Sequence, residues 1–451
     1  MIMIEDSIEQ LRQNISPALE AENDLGIIRV IDGIGIAELA NLLESLPSYQ
    51  RDLIWPQIDP ILLGGVLLET GDEIRDNKLK ELGVDEITAI IETLPDVDDQ
   101  ADLLLSLPTD KLVGILHTLD THKRERLESV LSYNENTAGG LMNIDQVTIR
   151  ADVTLDVVLR YLRMRGDIPD QTDQLFVVDR HDHYLGALYL ADLLTNELDA
   201  LVQDIMRTNI NAMYAQISDT EVAREFENYD LISAPVVDEQ HKLIGRITID
   251  DVVDVIREEG EHSIMSMAGL SEEDGMFSPV ITSAKRRGIW LGINLLTAFL
   301  AAGVIGFFEN ILEQVVALAI LITIVPSMGG VAGSQTLTLV IRGLALGQLG
   351  SSNYRSLIKK EILIGILNGL VWALVVAAFS IIWFESFIIG AVIGIALVVN
   401  LVAGAFAGVL IPLSLRQLNI DPAIAGGVVL TTVTDVIGIV AFLGLATLVL
   451  S

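Results

Sequence analysis

The chain has 451 residues, no cysteine and 62 acidic against 28 basic residues, a formal net charge of −34, yet its mean hydropathy is +0.50. Without cysteine, disulfides and thiolate metal centres are excluded. So acidic a surface repels nucleic acid and anionic lipid headgroups and attracts cations, so no nucleic-acid partner is expected.

High charge and high hydropathy do not belong to one uniform body, and the sequence separates them. From Lys285 onward there are six acids (Glu309, Glu313, Glu361, Glu385, Asp421, Asp435) and eight bases (Lys285, Arg286, Arg287, Arg342, Arg355, Lys359, Lys360, Arg416), which leaves 56 acids and 20 bases in the first 284 residues. An acidic soluble half is joined to an apolar membrane half. The start, MIMIEDSIEQ, has no basic stretch followed by an apolar one, which predicts no cleaved leader and a cytoplasmic first half.

Residues 1–136 read as short helices. Apolar residues recur at helical spacing in IAELANLLESL, DEITAIIETL, DQADLLLSL and DKLVGILHTL, and Leu-Pro ends three of these runs at Pro47, Pro95 and Pro108. Units of this size and pattern predict an all-α superhelical stack. The acidic run Asp96, Asp98, Asp99 and Asp102 suits either a solvated helix start or a cation site.

Residues 137–258 hold an internal repeat, with copies at about 137–199 and 200–258. QLFVVDRHDHYLGALYLADLL in the first copy corresponds to SAPVVDEQHKLIGRITIDDVV in the second. Each copy reads as strand, helix, strand, turn, strand, helix, an α/β module. The copies lie 64 residues apart at Met142 and Met206 but 59 apart at Val178 and Val237, so the first carries five extra residues near RGDIPDQ. The pattern resembles a tandem pair of CBS domains, which implies a cleft for an adenosine nucleotide such as ATP. That resemblance assigns Gly245, Thr248 and Asp251 to the nucleotide; in the first copy Tyr189 replaces the hydroxyl residue although Asp192 remains. A purely structural pair is the alternative. Residues 259–285 continue as an acidic helix and loop, a linker to the membrane half.

Residues 286–451 contain five apolar segments, at roughly 288–308, 314–341, 358–384, 386–415 and 422–450, each long enough to span a bilayer. All eight bases fall in loops on one side, which the distribution of Lys and Arg makes cytoplasmic, with Ser451 outside. The second segment contains VPSMGGVAGSQTLT, where Pro326, Gly329, Gly330 and Gly333 predict a kinked or unwound helix near mid-membrane. Close helix packing is the other use of such small residues. Gln335, Thr336 and Thr338, with Asn400 in the fourth segment, add a polar stripe. Asp435 is the only acid of the fifth segment, and a carboxylate at mid-bilayer costs about 2.5–3.5 kcal/mol, so it marks a functional site unless the hydroxyls of Thr431, Thr432 and Thr434 hold it structurally.

The order of parts, with TAGGLM at 137–142, PSMGGVAGSQ, the DPA at 421–423 and TTVTDVIG at 431–438, resembles the MgtE family of magnesium channels over nearly the whole chain. The resemblance implies a homodimer in the lipid bilayer of a bacterial or archaeal inner membrane. Asp435 of each subunit would face a hydrated Mg2+ or other divalent cation near Gly427, Thr431 and Thr432, with Pro326, Gly329, Gly330, Gln335 and Asn400 lining the pore. It also implies closure by cytosolic Mg2+ at Asp96, Asp99, Asp230, Asp251, Asp254, Glu259 and Asp421. Two departures stand out: Val331 where the family carries Asn, and Gly427-Val428 where it carries a polar pair. His262 and Ser263 stand where a further acidic pair is expected. A proton- or sodium-coupled transporter and a membrane-tethered nucleotide sensor are the competing readings; no enzymatic constellation is present.

Overall fold

The computed structural model describes residues 2–270, 275–350, 352–418 and 420–450. Residues 271–274 of the expected linker and Ser451 lie outside them. The chain forms two compact units, Met1–Glu261 with Glu273–Pro279, and His262–Glu272 with Val280–Ser451.

The first unit begins with ten described helices: α1 (Ile2–Glu20), α2 (Asp24–Ile31), α3 (Ile36–Glu44), α4 (Ser48–Ile54), α5 (Pro60–Glu69), α6 (Asp72–Glu81), α7 (Val84–Ile91), α8 (Val97–Leu105), α9 (Thr109–Thr118) and α10 (Thr121–Leu131). Three of their starts are capped by short polar side chains. Asn23 accepts from Gly26 N–H, Asp59 accepts from Ile61 N–H with Pro60 at the first helical position, and Asp120 accepts from Lys123 N–H. The apolar periodicity is the buried face: Leu39, Leu42 and Leu43 in α3, and Ile87, Ile90 and Ile91 in α7. Lys111 donates to the carbonyls of Leu79, Lys80 and Leu82, closing the end of α6.

Two three-stranded sheets follow. The first copy contributes β1 (Thr148–Arg150), α11 (Leu155–Arg165), β2 (Gln174–Val178), β3 (Tyr184–Tyr189), α12 (Leu190–Thr195) and α13 (Val202–Ile205). The second contributes β4 (Met213–Tyr214), α14 (Asp219–Tyr229), β5 (Ser233–Val237), β6 (Leu243–Thr248) and α15 (Ile249–Met267). In each sheet the first pair of strands is parallel and the second antiparallel. Leu175 pairs with Leu188 and Ala234 with Ile247, so the 59-residue offset read from the sequence is also the structural register. The two hairpin turns are built alike. Asp179 Oδ1 accepts from the N–H groups of His181 and His183, Asp238 Oδ1 from those of Gln240 and Lys242, and Asp182 and His241 both adopt left-handed φ.

The second unit contains α16 (Val280–Gly306), α17 (Glu309–Gln314), α18 (Val316–Leu321), α19 (Ile324–Ala345), α20 (Tyr354–Phe384), α21 (Phe387–Gln417) and α22 (Pro422–Leu450). Five segments are long and apolar enough to cross a membrane, the second being Val316–Ala345, that is, α18 and α19 together. The expected interruption of this span is present but displaced: it lies at Ile322–Thr323, and the run from Pro326 to Gly333 is regular helix. Pro326 is the third residue of α19, where its missing N–H would have had no intrahelical acceptor, so it is accommodated without a kink.

The glycines of that run serve contact rather than unwinding. A Cβ on Gly404 would lie 2.6 Å from the Gly329 carbonyl oxygen, and one on Gly408 would lie 2.7 Å from that of Gly333. Gly329-xxx-Gly333 on α19 therefore interlocks with Gly404-xxx-Gly408 on α21, backbone against backbone, as small residues permit in a membrane where burial from water drives nothing.

Candidate functional site

On the far face of α19 from that contact lies an open cleft of about 940 Å³, walled by α19 and α22. Pro326, Gly330, Val331, Gln335 and Thr338 line it from α19, and Thr431 and Asp435 from α22. Thr431 Oγ1 donates to the carbonyls of Gly427 and Val428, Thr432 Oγ1 to Val428 at 2.7 Å, and Thr434 Oγ1 to Leu430 at 3.0 Å. Each hydroxyl proton is thus turned to the helix's own backbone, and the alternative in which these threonines hold Asp435 structurally is not what the geometry shows. What Thr431 offers the cleft is an oxygen lone pair beside a carboxylate, the donor set of a hydrated cation.

Four of the residues expected at the pore do not line this cleft. Asn400 is completely buried; its Nδ2 donates to the Val325 carbonyl at 2.7 Å, and the amide fills the space between Gly329 and Gly438. It ties α21 to the first turn of α19, just past the interruption. Gly329 is buried in the same contact. Gly427 and Thr432 are on α22 but not among the residues lining the cleft. Sequence reading also passed over Glu361, which is buried on α20, accepts from Thr336 Oγ1 at 3.0 Å and lies 3.5 Å from Lys360 Nζ. Its signal was an acid directly after Lys359-Lys360 at the head of an apolar run.

Asp421 is a helix cap. Its Oδ1 accepts from Ala423 N–H at 2.8 Å, and its Oδ2 meets His262 Nε2 at 2.9 Å. The imidazole occupies a position where the family resemblance calls for an acid.

The second concentration of charge is in the first unit, where α8 meets the start of α15. Asp98 is buried; Asp96, Asp99 and Asp251 are half-buried; Asp102 and Asp250 stand at the exposed rim. Burial, then the neighbouring Asp251, pushes the Asp98 carboxyl up to about 8. Burial and Asp250 raise Asp251 to about 7, and burial and Asp96 raise Asp99 to about 6. Asn143 Nδ2 donates to Asp96 and Asp98, and the buried Arg246 is nearby. Its guanidinium donates to the Asp170 carbonyl and Thr172 rather than to any of these carboxylates. Doubled acids at 98–99 and 250–251 were the available signal for this cluster. Asp230, Asp254 and Glu259 are exposed and apart from it: Asp230 closes α14 with a left-handed φ of 50°, and Asp254 pairs with Arg257 at 3.3 Å.

The internal repeat supplies a comparison for this cluster. Asp192 in the first copy corresponds to Asp251 in the second, and Arg207 corresponds to Asn143. Arg207, at the start of the second copy, reaches back to the first, pairing with Asp192 at 3.1 Å and stacking on the Tyr189 ring at 4.3 Å. Asp192 therefore has a counter-ion within the tandem pair. Against the second copy stands the amide of Asn143 instead of a guanidinium; it donates to Asp96 and Asp98, and Asp251 faces other acids. Gly245 packs against Met142, while Thr248 Oγ1 donates to Asp250 and Asp251, so two of the three nucleotide-signature residues already engage the acidic corner.

Comparison with known proteins covers the same ground. Residues 322–445 match the family described as a divalent cation transporter, MgtE; residues 34–136 match the MgtE intracellular N domain; residues 138–199 and 202–258 match CBS domains. The magnesium transporter MgtE of Thermus thermophilus is 31% identical over 359 residues, 78% of this chain and 80% of that protein. That of Enterococcus faecalis is 30% identical over 322 residues, 71% of each, and that of Bacillus subtilis 29% over 420 residues, 93% and 92%. A solved cytosolic domain of the Mg2+ channel MgtE in complex with ATP is 29% identical, covers 54% of this chain and 98% of its own, and superimposes with a TM-score of 0.48.

Proposed function

Because the chain belongs to the MgtE family of magnesium transporters, multi-pass proteins that move divalent cations across membranes, we propose that it is a homodimeric, cation-gated Mg2+ channel whose ion passes Asp435. The observation that carries this reading is a carboxylate with no hydroxyl partner at the wall of an open cleft in a membrane-spanning bundle. One subunit supplies only two helices to that cleft, and a second copy would complete it. Two facing carboxylates hold a divalent cation between them or else one takes up a proton. Magnesium keeps much of its water, so oxygen donors at a distance recognise it better than a dry cage. Lys285, Arg286, Arg287, Arg342, Arg355, Lys359, Lys360 and Arg416 would then mark the cytoplasmic side of the inner membrane.

Closure follows from the acidic corner. With Asp98, Asp99 and Asp251 close together and partly dehydrated, α8 and α15 dock only if protons or cations offset the repulsion. Mg2+ entering among them favours the docked, closed form, and its loss releases the helical domain that carries α8 and opens the channel. The first copy, with Arg207 fixed on Asp192, needs no ion. An adenosine nucleotide at Gly245, Thr248 and Asp251 would bind in competition with the same corner. Flux into proteoliposomes tests the reading: Mg2+ entry driven by its own gradient and abolished by Asp435→Asn is expected, whereas strict dependence on a proton or sodium gradient, or undiminished flux in the variant, refutes it.

A further inference from the structure

We propose that Asp179, His181 and His183, at the hairpin turn between β2 and β3, form a binding site for a borderline divalent cation such as Zn2+, Ni2+ or Co2+, separate from the oxygen sites that would hold Mg2+. Oδ2 of Asp179 lies 2.9 Å from His183 Nδ1 and 3.9 Å from His181 Nδ1, and one donor atom from each of the three falls within 4.8 Å of the other two. Tetrahedral ligands at about 2.0–2.1 Å from a metal stand roughly 3.3 Å apart, so the two measured separations bracket what an ion needs. The carboxylate is held ready. Its Oδ1 accepts from two backbone N–H groups, 2.7 and 3.0 Å away, which leaves Oδ2 for the imidazoles.

Turn formation does not explain the histidines. The second copy makes the same turn with Asp238 accepting from residues two and four further on, and there those residues are Gln240 and Lys242. The backbone geometry therefore needs only the aspartate, and the two imidazoles of the first copy are an addition to it. Their chemistry separates this site from the acidic corner. Imidazole is a good ligand for zinc, nickel and cobalt, whereas Mg2+ demands oxygen donors in octahedral array. Nor is the pair engaged in the core: the His181 side chain is 78% exposed and that of His183 39%.

The test uses the full chain in detergent with Mg2+ in excess, so that oxygen sites are filled, and titrates Ni2+ or Zn2+ calorimetrically. One equivalent per chain is expected for the wild type. The double substitution His181→Gln, His183→Lys installs the residues that already make this turn in the second copy, so it should fold and melt as the wild type does while losing that equivalent, with an affinity lower by about tenfold or more. Asp179→Asn should also weaken it. Undiminished binding in the double variant, displacement of Ni2+ by Mg2+ at comparable concentration, or binding only at millimolar metal would each overturn the assignment.

Discussion

Replacing Asp98 by Asn removes the most strongly perturbed charge of the acidic corner while keeping an acceptor for Asn143 Nδ2. The Asp98 carboxyl is raised from 3.8 to about 8, so in the docked form it remains protonated at pH 7. Carrying that proton across roughly three pH units, at about 1.4 kcal/mol each, costs about 4 kcal/mol relative to an exposed, ionised aspartate. Asparagine has no such cost. The sign follows from a docked-state value above the undocked one: the acid's contribution to docking is complete below about pH 4 and is lost as pH rises through about 6 to 8. Hydrogen exchange of the α8 amides reports docking directly. In the wild type without Mg2+ their protection should fall between pH 6 and 8 and be restored by Mg2+. In Asp98→Asn it should be higher without Mg2+ and fall less steeply with pH, Asp99 and Asp251 still titrating, with the Mg2+-dependent gain shrinking by one to three powers of ten. If α8 in the variant is less protected than in the wild type, or its Mg2+ response is unchanged, the cluster is not held apart by its own charge and the gating argument fails.

Three further outcomes are expected. Gly329→Ala places a Cβ 2.1 Å from Asn400 Nδ2 and should lower the yield of folded protein by destabilising the α19 and α21 contact by about 1–3 kcal/mol. Gly330→Ala, whose nearest neighbour would be Thr434 Oγ1 at 3.8 Å, should leave folding intact, and equal yields of the two would refute the packing argument. Arg207→Gln removes the ion pair with Asp192 and the stacking on Tyr189, so the melting temperature should drop by an amount equivalent to about 1–2 kcal/mol. Added Mg2+ should recover part of that loss, because the first copy then resembles the second. Val331→Asn puts an amide into the cleft beside Gly330 and should sharpen discrimination of Mg2+ against Ca2+ in flux assays; identical selectivity would show that the cleft wall at Val331 does not contact the ion.

The fold was legible where one element's pattern suffices. Five apolar runs, amphipathic helices punctuated by Leu-Pro and a repeat whose offset equals the sheet register are properties of neighbouring residues. The site was legible only in part, because its meaning depends on partners far along the chain. Pro326 and the glycines after it fit both an unwound helix and a tight crossing, and Gly404 and Gly408, some 75 residues on, decide for the crossing. The polar side chain of Asn400 in an apolar run suits a pore, and its acceptor, the Val325 carbonyl, is 75 residues away in sequence. Asp98 and Asp251 each read as an ordinary helix-start acid, and only folding, across about 150 residues, places them together. Arg207 carried no motif at all; its role emerges from the Asp192 and Tyr189 side chains it meets.

The glycine crossing also limits how such a channel can move. With Gly329 and Gly333 set against Gly404 and Gly408 at backbone distance, α19 cannot slide or rotate on α21 without a clash, so the two helices travel as one rigid plate. Val331, Gln335 and Thr338 are fixed to that plate. α22 is set against the same plate, Gly438 against Asn400 and Pro326 and Gly426 against Leu337, so on the channel reading proposed above a change in bore is a movement of this three-helix unit, Asp435 included, relative to the second copy.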